Sequence, residues 1–301
     1  MLCRAIMLAA LVPLSCLLPN VAQAVRPSRN YYDTPHHLCG VLGIAVEDVD
    51  FRTADGLRLT GWFFSRADSA HPRRSTVIIA GPDGGNMGDL LFYTGMVNIG
   101  MNVLLFDYRG FGKSDPWAID STALLCREFA LDLEAAIRYV KTRADVDTSN
   151  LGLFGLSMGA VLCAGAAAAH PEVRALAVEG IATSTDDVIA VLRKVKGSAL
   201  SLPGGYPTAA EPINAFPRLK SCAVLVIAAE RDTHTPVWMA KKLYNAAPGK
   251  RSLWVIPGAT HGGGPQAIDH RIYTEKVNKF FDAALSKWEY NGKRLPGFRG
   301  W

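Results

Sequence analysis

The chain has 301 residues, 49% of them apolar, and 32 Lys and Arg against 27 Asp and Glu give it a formal charge of +5. A charged fraction of 20% beside that apolar content excludes a disordered chain, and 28 glycines without a three-residue period exclude a collagen-like one. The positive balance is dispersed in pairs such as Arg73 and Arg74 or Lys241 and Lys242, without the long basic stripe that neutralises many phosphates, so nucleic acid is not an expected partner.

Between Met1 and Ala24 the only charge is Arg4; an apolar stretch from Ala5 to Leu18 and the small-residue pattern Val21-Ala22-Gln23-Ala24 follow it. This is the pattern of a signal peptide over residues 1–24, which predicts export to the periplasm or beyond and a mature chain that begins at Val25. The apolar run is about 14 residues, is broken by Pro13, and falls short of the roughly 20 needed to span a bilayer, so no permanent anchor is expected. Cys16 after Leu14-Ser15 matches a lipoprotein processing site poorly, and that alternative is minor. Removal of the leader leaves Cys39, Cys126, Cys163 and Cys222, which allow three pairings in an oxidising compartment. Cys163 and Cys222 stand beside apolar segments and read as small buried hydrophobes.

An amino-terminal arm, residues 25–45, leads to two alternating runs, Val46 to Thr53 and Leu57 to Phe64, joined by Ala54-Asp55-Gly56, which predict a hairpin. The rhythm then changes. Thr76 to Ala80, Asn102 to Asp107, Asn150 to Phe154, Arg174 to Glu179, Ala223 to Ala229 and Ser252 to Ile256 are short apolar runs of the kind buried on both faces. Helices are expected between them at Asn86 to Asn98, around Phe129, Leu133, Ile137 and Val140, and at Met158 to Ala169, Val237 to Ala247 and Ala267 to Ser286. Alternating strands and helices imply a mostly parallel sheet with helices on both faces, in a single domain over residues 46–287. The interval Gly180 to Cys222 is rich in Pro and Gly, carries one expected helix near Asp186 to Lys196, and reads as a small cap; residues 288–301 form a peripheral tail. Arg193, Lys194 and Lys196 read as a solvated helix face.

Two strings are decoys. Gly110-Phe-Gly-Lys-Ser114 ends like a phosphate-binding loop, but the required first glycine falls on Asp107. His261-Gly-Gly-Gly264 copies a lipase oxyanion string, yet lies far downstream of any nucleophile; its glycines read as a flexible turn. The third string carries chemistry. Gly155-Leu-Ser157-Met-Gly159 follows one apolar run and precedes a small-residue helix, the strand, sharp turn and helix of a nucleophile elbow.

With that string, the stretch from about Val46 to Ser286 resembles the α/β-hydrolase superfamily. Phe106-Asp-Tyr-Arg-Gly-Phe-Gly-Lys-Ser114 is similar to the loop after the fourth strand, Ala229-Glu-Arg-Asp232-Thr-His-Thr-Pro236 to the acid loop, and Pro257-Gly-Ala-Thr-His261 to the loop carrying the catalytic histidine. The order serine, aspartate, histidine is the family's order. The resemblance implies Ser157 as nucleophile, His261 as base and Asp232 as the acid that orients it. Asp186 and Asp187, after the sixth strand, are the alternative acid; His234 is the rival histidine, with a supporting role expected for it, and His270 belongs to the final helix. Where relatives carry His-Gly after the third strand, this chain reads Ala80-Gly81-Pro82-Asp83. Pro82 has no N–H, so the oxyanion donors become the backbone N–H groups of Asp83 and Met158. Gly84-Gly-Asn-Met-Gly-Asp89, with the short cap, is similar to an esterase-like and acyl-thioesterase-like subgroup; the same run also fits an anion site at a helix start.

The implied function is a serine hydrolase acting on a carboxylic ester, with a small-molecule or acyl-group substrate. Thioester and peptide cleavage are chemical neighbours, and a non-catalytic binding module is the competing class. No cofactor or metal is expected, since no metal spacing or dinucleotide fingerprint occurs.

Overall fold

The computed structural model describes residues 25–30, 43–66, 73–120, 123, 127–196, 206–285, 289–290 and 293–294. The expected leader, Cys39, Cys126, His36, His37 and His71 lie outside these residues.

Strands β1 (Arg26–Pro27), β2 (Ala45–Arg52), β3 (Arg58–Ser65), β4 (Arg74–Ala80), β5 (Gly84–Gly85), β6 (Asn102–Phe106), β7 (Val146–Leu156), β8 (Val173–Glu179), β9 (Ala223–Ala229) and β10 (Arg251–Ile256) follow in chain order. Eight of them form one sheet in the order β10-β9-β8-β7-β4-β6-β3-β2. The hairpin β2–β3 and its junction with β6 are antiparallel, and every other pairing in this sheet is parallel. The expected α/β-hydrolase architecture, a mostly parallel sheet with an antiparallel amino-terminal hairpin, is therefore the one observed.

The apolar runs read as strands because every residue of β4 and β6 is buried, which only a sheet covered on both faces allows. Alternation then sorts neighbours to opposite sides. Ile78 and Leu104 face the layer holding α1 (Glu128–Thr142) and α2 (Met158–Ala169), whereas Val77, Ile79 and Val103 face the layer holding Tyr273, Val277 and Phe281. The stripe Phe129, Leu133, Ile137 and Val140 of α1 is buried as its spacing requires, and each such side chain contributes roughly 1.5–3 kcal/mol of transfer free energy. Cys163 and Cys222 are free and buried, and burial pushes the Cys222 thiol up to about 12.

Two helices differ from the periodicity. Residues Met87–Ile99 form a 3-10 helix, opened by a capping box in which Asn86 and Asp89 satisfy each other's backbone N–H groups. Asp89 thus occupies the start of this helix. The final helix splits into α6 (Gly264–Ala267) and α7 (His270–Leu285) because Asp269 Oδ1 accepts the Arg271 N–H at 2.8 Å and starts a new helix there. In the interval 180–222, α3 (Thr185–Lys196) and α4 (Pro212–Ala215) are formed, with Arg193 and Lys194 exposed as expected. The described part of the tail pairs as β11 (Glu289–Tyr290) and β12 (Lys293–Arg294). Among the described residues no helix is long and apolar enough to cross a membrane.

The string Asp107 to Ser114 is tied to itself and to the start of the 3-10 helix. Asp107 Oδ1 accepts the Met87 N–H at 2.8 Å, Ser114 Oγ donates to the Asp107 carbonyl at 2.7 Å, and Gly112 is glycine because a Cβ there would meet Asp107 Oδ2 at 1.9 Å. Arg109 is fully buried, with Nε donating to Asp132 Oδ1 at 2.8 Å and Nη1 to Asp55 Oδ2 at 2.8 Å.

Candidate active site

Ser157 follows the carboxyl end of β7, one of the central strands, and precedes the first residue of α2. Its φ of 52° makes it the one non-glycine described residue with a left-handed backbone. An L-residue is held there only when the surroundings over-determine the turn. The flanking glycines show how. A Cβ on Gly155 would lie 2.5 Å from Ala160 Cα, and one on Gly159 would lie 2.1 Å from the Ala80 carbonyl oxygen. Strand and helix are thus pressed against the turn, and the Ser157 side chain is left at the sheet's rim.

The acid loop follows β9 and leads into α5 (Val237–Ala246), with Pro236 just ahead of the helix. Asp232 is buried and fully engaged. Its Oδ1 accepts the N–H groups of His234 and Thr235, each at 2.8 Å, and its Oδ2 accepts Thr235 Oγ1 at 2.7 Å. The loop after β10 brings His261 to the same oxygen, with Nδ1 to Asp232 Oδ2 at 2.7 Å, while Nε2 stands 2.9 Å from Ser157 Oγ. Three residues far apart in sequence meet because each follows a parallel strand at the same edge of the sheet.

Electrostatics favour the charged forms of the Asp232–His261 pair. Burial raises the Asp232 carboxyl, but the His261 hydrogen bond and charge, together with the Thr235 bonds, outweigh it and hold the group below its ordinary value. For His261, burial opposes the imidazolium, yet the bond to Asp232 and the charges of Asp232, Asp83 and Glu179 push it above its ordinary value of 6.5.

The sequence-derived residues fare unequally. Ser157, Asp232 and His261 come together. Met158 begins α2, where its N–H is among those that an α-helix leaves without an intrahelical partner. Asp83 lies close enough for its carboxylate to raise His261, and its carbonyl accepts the Arg26 N–H at 2.7 Å. Asp187 instead accepts Thr183 Oγ1 at 2.5 Å, and Asp186 is exposed on α3. His234 packs its ring against that of His261, with centroids 4.9 Å apart. His270 does begin the final helix. The supposed loose turn after His261 is tied down, since the Gly264 N–H donates to Glu179 Oε1 at 3.2 Å.

Two contributors were missed in the sequence, Thr235 and Glu179. An aspartate followed at two and three positions by free backbone N–H groups is an Asx turn, a signal present in Asp232-Thr-His-Thr235. A carboxylate ending a buried apolar run, as Glu179 does after Ala175 to Val178, is equally conspicuous. Among the described residues, Asp232, His234 and His261 are the one group whose donor atoms, all within 4.8 Å of one another, suit a metal ion. The Asp232–His261 bond already fills the space between two of the three, and the donor set is that of a hydrogen-bonded relay.

Comparison with known proteins places this geometry in a lineage. The chain is 30% identical over 242 residues to the Mycobacterium tuberculosis protein Rv2307c, covering 78% of this chain and 79% of that one. To the Escherichia coli K12 protein YfhR it is 29% identical over 246 residues, covering 80% and 82%. The Arabidopsis thaliana alpha/beta hydrolase domain-containing protein WAV2 is 29% identical over 168 residues, which is 55% of this chain and 51% of that one. Among solved structures, the Pyrococcus furiosus esterase Pf2001 superposes with a TM-score of 0.70 at 22% identity over 87% of this chain and 98% of that one, a likeness of fold. The prolyl oligopeptidase family model matches residues 92–287, which hold all three relay residues, and the chain is therefore a hydrolase of the α/β fold that belongs to the prolyl oligopeptidase family.

Proposed function

We propose that this chain is a serine hydrolase that cleaves a carboxylic ester through an acyl-enzyme. The observation that carries the reading is the unbroken relay from Ser157 Oγ through His261 to Asp232, at 2.9 and 2.7 Å, beginning on a strained turn. Ser157 Oγ attacks the acyl carbonyl while His261 Nε2 takes its proton. Asp232 holds the Nδ1–H tautomer and offsets the imidazolium charge. The same imidazole returns the proton to the leaving oxygen, and water then repeats the sequence on the acyl-enzyme. Backbone N–H groups of Met158 and Asp83 receive the oxyanion, each such donor lowering the barrier by about 2.7–4 kcal/mol. The Asp83 carboxylate, adjacent to developing negative charge, disfavours anionic acyl groups there. No cofactor enters this scheme.

Peptide cleavage is the second reading, favoured by the family match, because the same acyl-enzyme serves an amide whose leaving nitrogen takes the proton from His261. A fluorophosphonate label on the purified chain tests the chemistry. Labelling is expected in the parent and lost in Ser157→Ala and His261→Ala; a Ser157→Ala protein that still labels refutes the assignment. Silence towards p-nitrophenyl esters, thioesters and peptide amides alike, together with no labelling, is the outcome a binding module gives. Hydrolysis of peptide amides with esters left intact selects the second reading. Export through the leader 1–24 is part of the proposal, checked by sequencing the amino terminus of the secreted or periplasmic protein, where Met1 retained defeats it.

The pH dependence follows in sign from His261. A base whose folded value is raised stays protonated, and inactive, to higher pH. The acid limb of kcat/KM is therefore expected above pH 6.5, falling about tenfold per pH unit below it. A limb centred below pH 6 contradicts the assigned environment.

A further inference from the structure

Glu179 is a carboxylate where burial makes charge expensive. It closes β8, is 2% exposed, and its side chain has no part in the relay. An ionised group so placed costs several kcal/mol unless hydrogen bonds surround it. Both carboxylate oxygens are bonded, and the backbone carbonyl of the same residue reaches the nucleophile's turn. Its backbone carbonyl accepts the Ser157 N–H at 2.9 Å. Oε1 accepts the Gly264 N–H at 3.2 Å, three residues beyond His261, and Oε2 accepts a short bond from the Tyr273 hydroxyl on α7.

The fit is close on all sides. A Cβ on Gly264 would lie 2.6 Å from Glu179 Oε1, so the loop after His261 is pressed onto the carboxylate. The next residue, Gly180, has φ +66°, and a Cβ there would lie 2.9 Å from His261 Cε1. The imidazole thus rests on the backbone that follows Glu179. Tyr273 is fixed in turn by neighbouring rings, with centroids 6.0 Å from Tyr93 and 5.4 Å from Trp254.

We infer that Glu179 is a positioning residue, which pins the Ser157 turn and the His261–Gly264 loop to one strand end and keeps a carboxylate close to the imidazole. The inference deepens the serine hydrolase reading and rests on it. The groups facing the carboxylate are the Gly264 N–H, the Tyr273 hydroxyl, the Tyr93 phenol, the His261 imidazole and the Asp232 carboxylate. Burial raises both phenols far above their ordinary range, so they remain neutral. Burial also raises Glu179 itself, with the Tyr273 and Gly264 bonds and the His261 charge opposing that rise.

Glu179→Gln keeps the size of the side chain and an acceptor for the Gly264 N–H, and removes the charge. In a Ser157→Ala background, the His261 imidazole followed by NMR is expected to titrate about one pH unit lower with Glu179→Gln than without it. In the active chain, kcat is expected to fall about tenfold with KM held within about twofold, because Glu179 acts through His261 and Ser157. An unmoved imidazole titration overturns the inference, as does a loss carried wholly by KM. Tyr273→Phe, which keeps the ring and removes the hydroxyl, carries the test if Glu179→Gln does not fold: kcat is expected to fall at least about threefold with KM held, and unchanged kcat overturns the proposal. The NMR titration needs no turnover. A chain that no fluorophosphonate labels, yet whose imidazole shifts, would overturn the hydrolase reading and leave the coupling of Glu179 to His261 standing.

Discussion

Asp232→Asn is expected to lower kcat by about four orders of magnitude without unfolding the protein. The reason lies in how the four bonds at this carboxylate are divided. Oδ1 serves two backbone N–H groups, and Oδ2 serves the Thr235 hydroxyl and His261 Nδ1. An asparagine in the same place must turn its oxygen to the two N–H donors, since its amide nitrogen cannot accept from them. The NH2 group then faces His261 Nδ1, which becomes an acceptor, and the remaining proton moves to Nε2. That tautomer cannot take the Ser157 proton. Steady-state rates on the most reactive p-nitrophenyl ester, with thermal unfolding as a control, test this. A loss smaller than about tenfold at unchanged stability means that Asp232 is not the orienting acid.

The largest effect on stability is expected at Arg109→Met. Arg109 and Asp132 both have fully buried side chains, and the guanidinium gives Asp132 two bonds, from Nε at 2.8 Å and from Nη2 at 2.7 Å, while the Arg109 backbone N–H adds a third at 2.9 Å. Removing the cation strands a carboxylate in an apolar layer, which typically costs about 3–5 kcal/mol. The double variant Arg109→Met/Asp132→Leu removes both buried charges and is expected to recover part of that loss, because apolar replacement of a buried pair is often close to neutral while the Arg109 backbone N–H loses its acceptor. Urea unfolding of the two variants decides it. A single-variant loss below about 1 kcal/mol shows that the pair is not structurally important.

Much of the site could be read in the sequence because each relay residue follows an apolar run at a strand's end. Ala223 to Ala229 is strand in both readings, and Asp232 lies three residues beyond it. The elbow was legible for a related reason, since Gly155 and Gly159 stand where backbone contacts leave no space for a Cβ. What escaped depends on tertiary placement. Glu179 looks like the end of a strand until Tyr273, 94 positions later, is seen to meet it. The single last helix expected from periodicity gives way at Asp269 to a local capping bond that the spacing of apolar residues does not register. The 3-10 winding of Met87–Ile99 likewise leaves no trace in hydrophobic spacing. The arm was legible as a segment but its docking was not, because residues 25–30 are held mostly through backbone bonds to a distant turn, with Val25 buried and Arg29 Nη2 donating to the Ser114 carbonyl at 3.0 Å.

That arm has a practical consequence. Arg26 and Pro27 lie in register beside Gly84 and Gly85, Ser28 donates its N–H to the Gly85 carbonyl at 2.8 Å, and Asn86 Nδ2 reaches the Asn30 carbonyl at 2.6 Å. Recombinant forms trimmed to start after residue 30 would strip these braces from the turn bearing Asp83. Expression designs that spare this stretch would keep catalytic comparisons between variants free of an artefact that resembles a weakened enzyme.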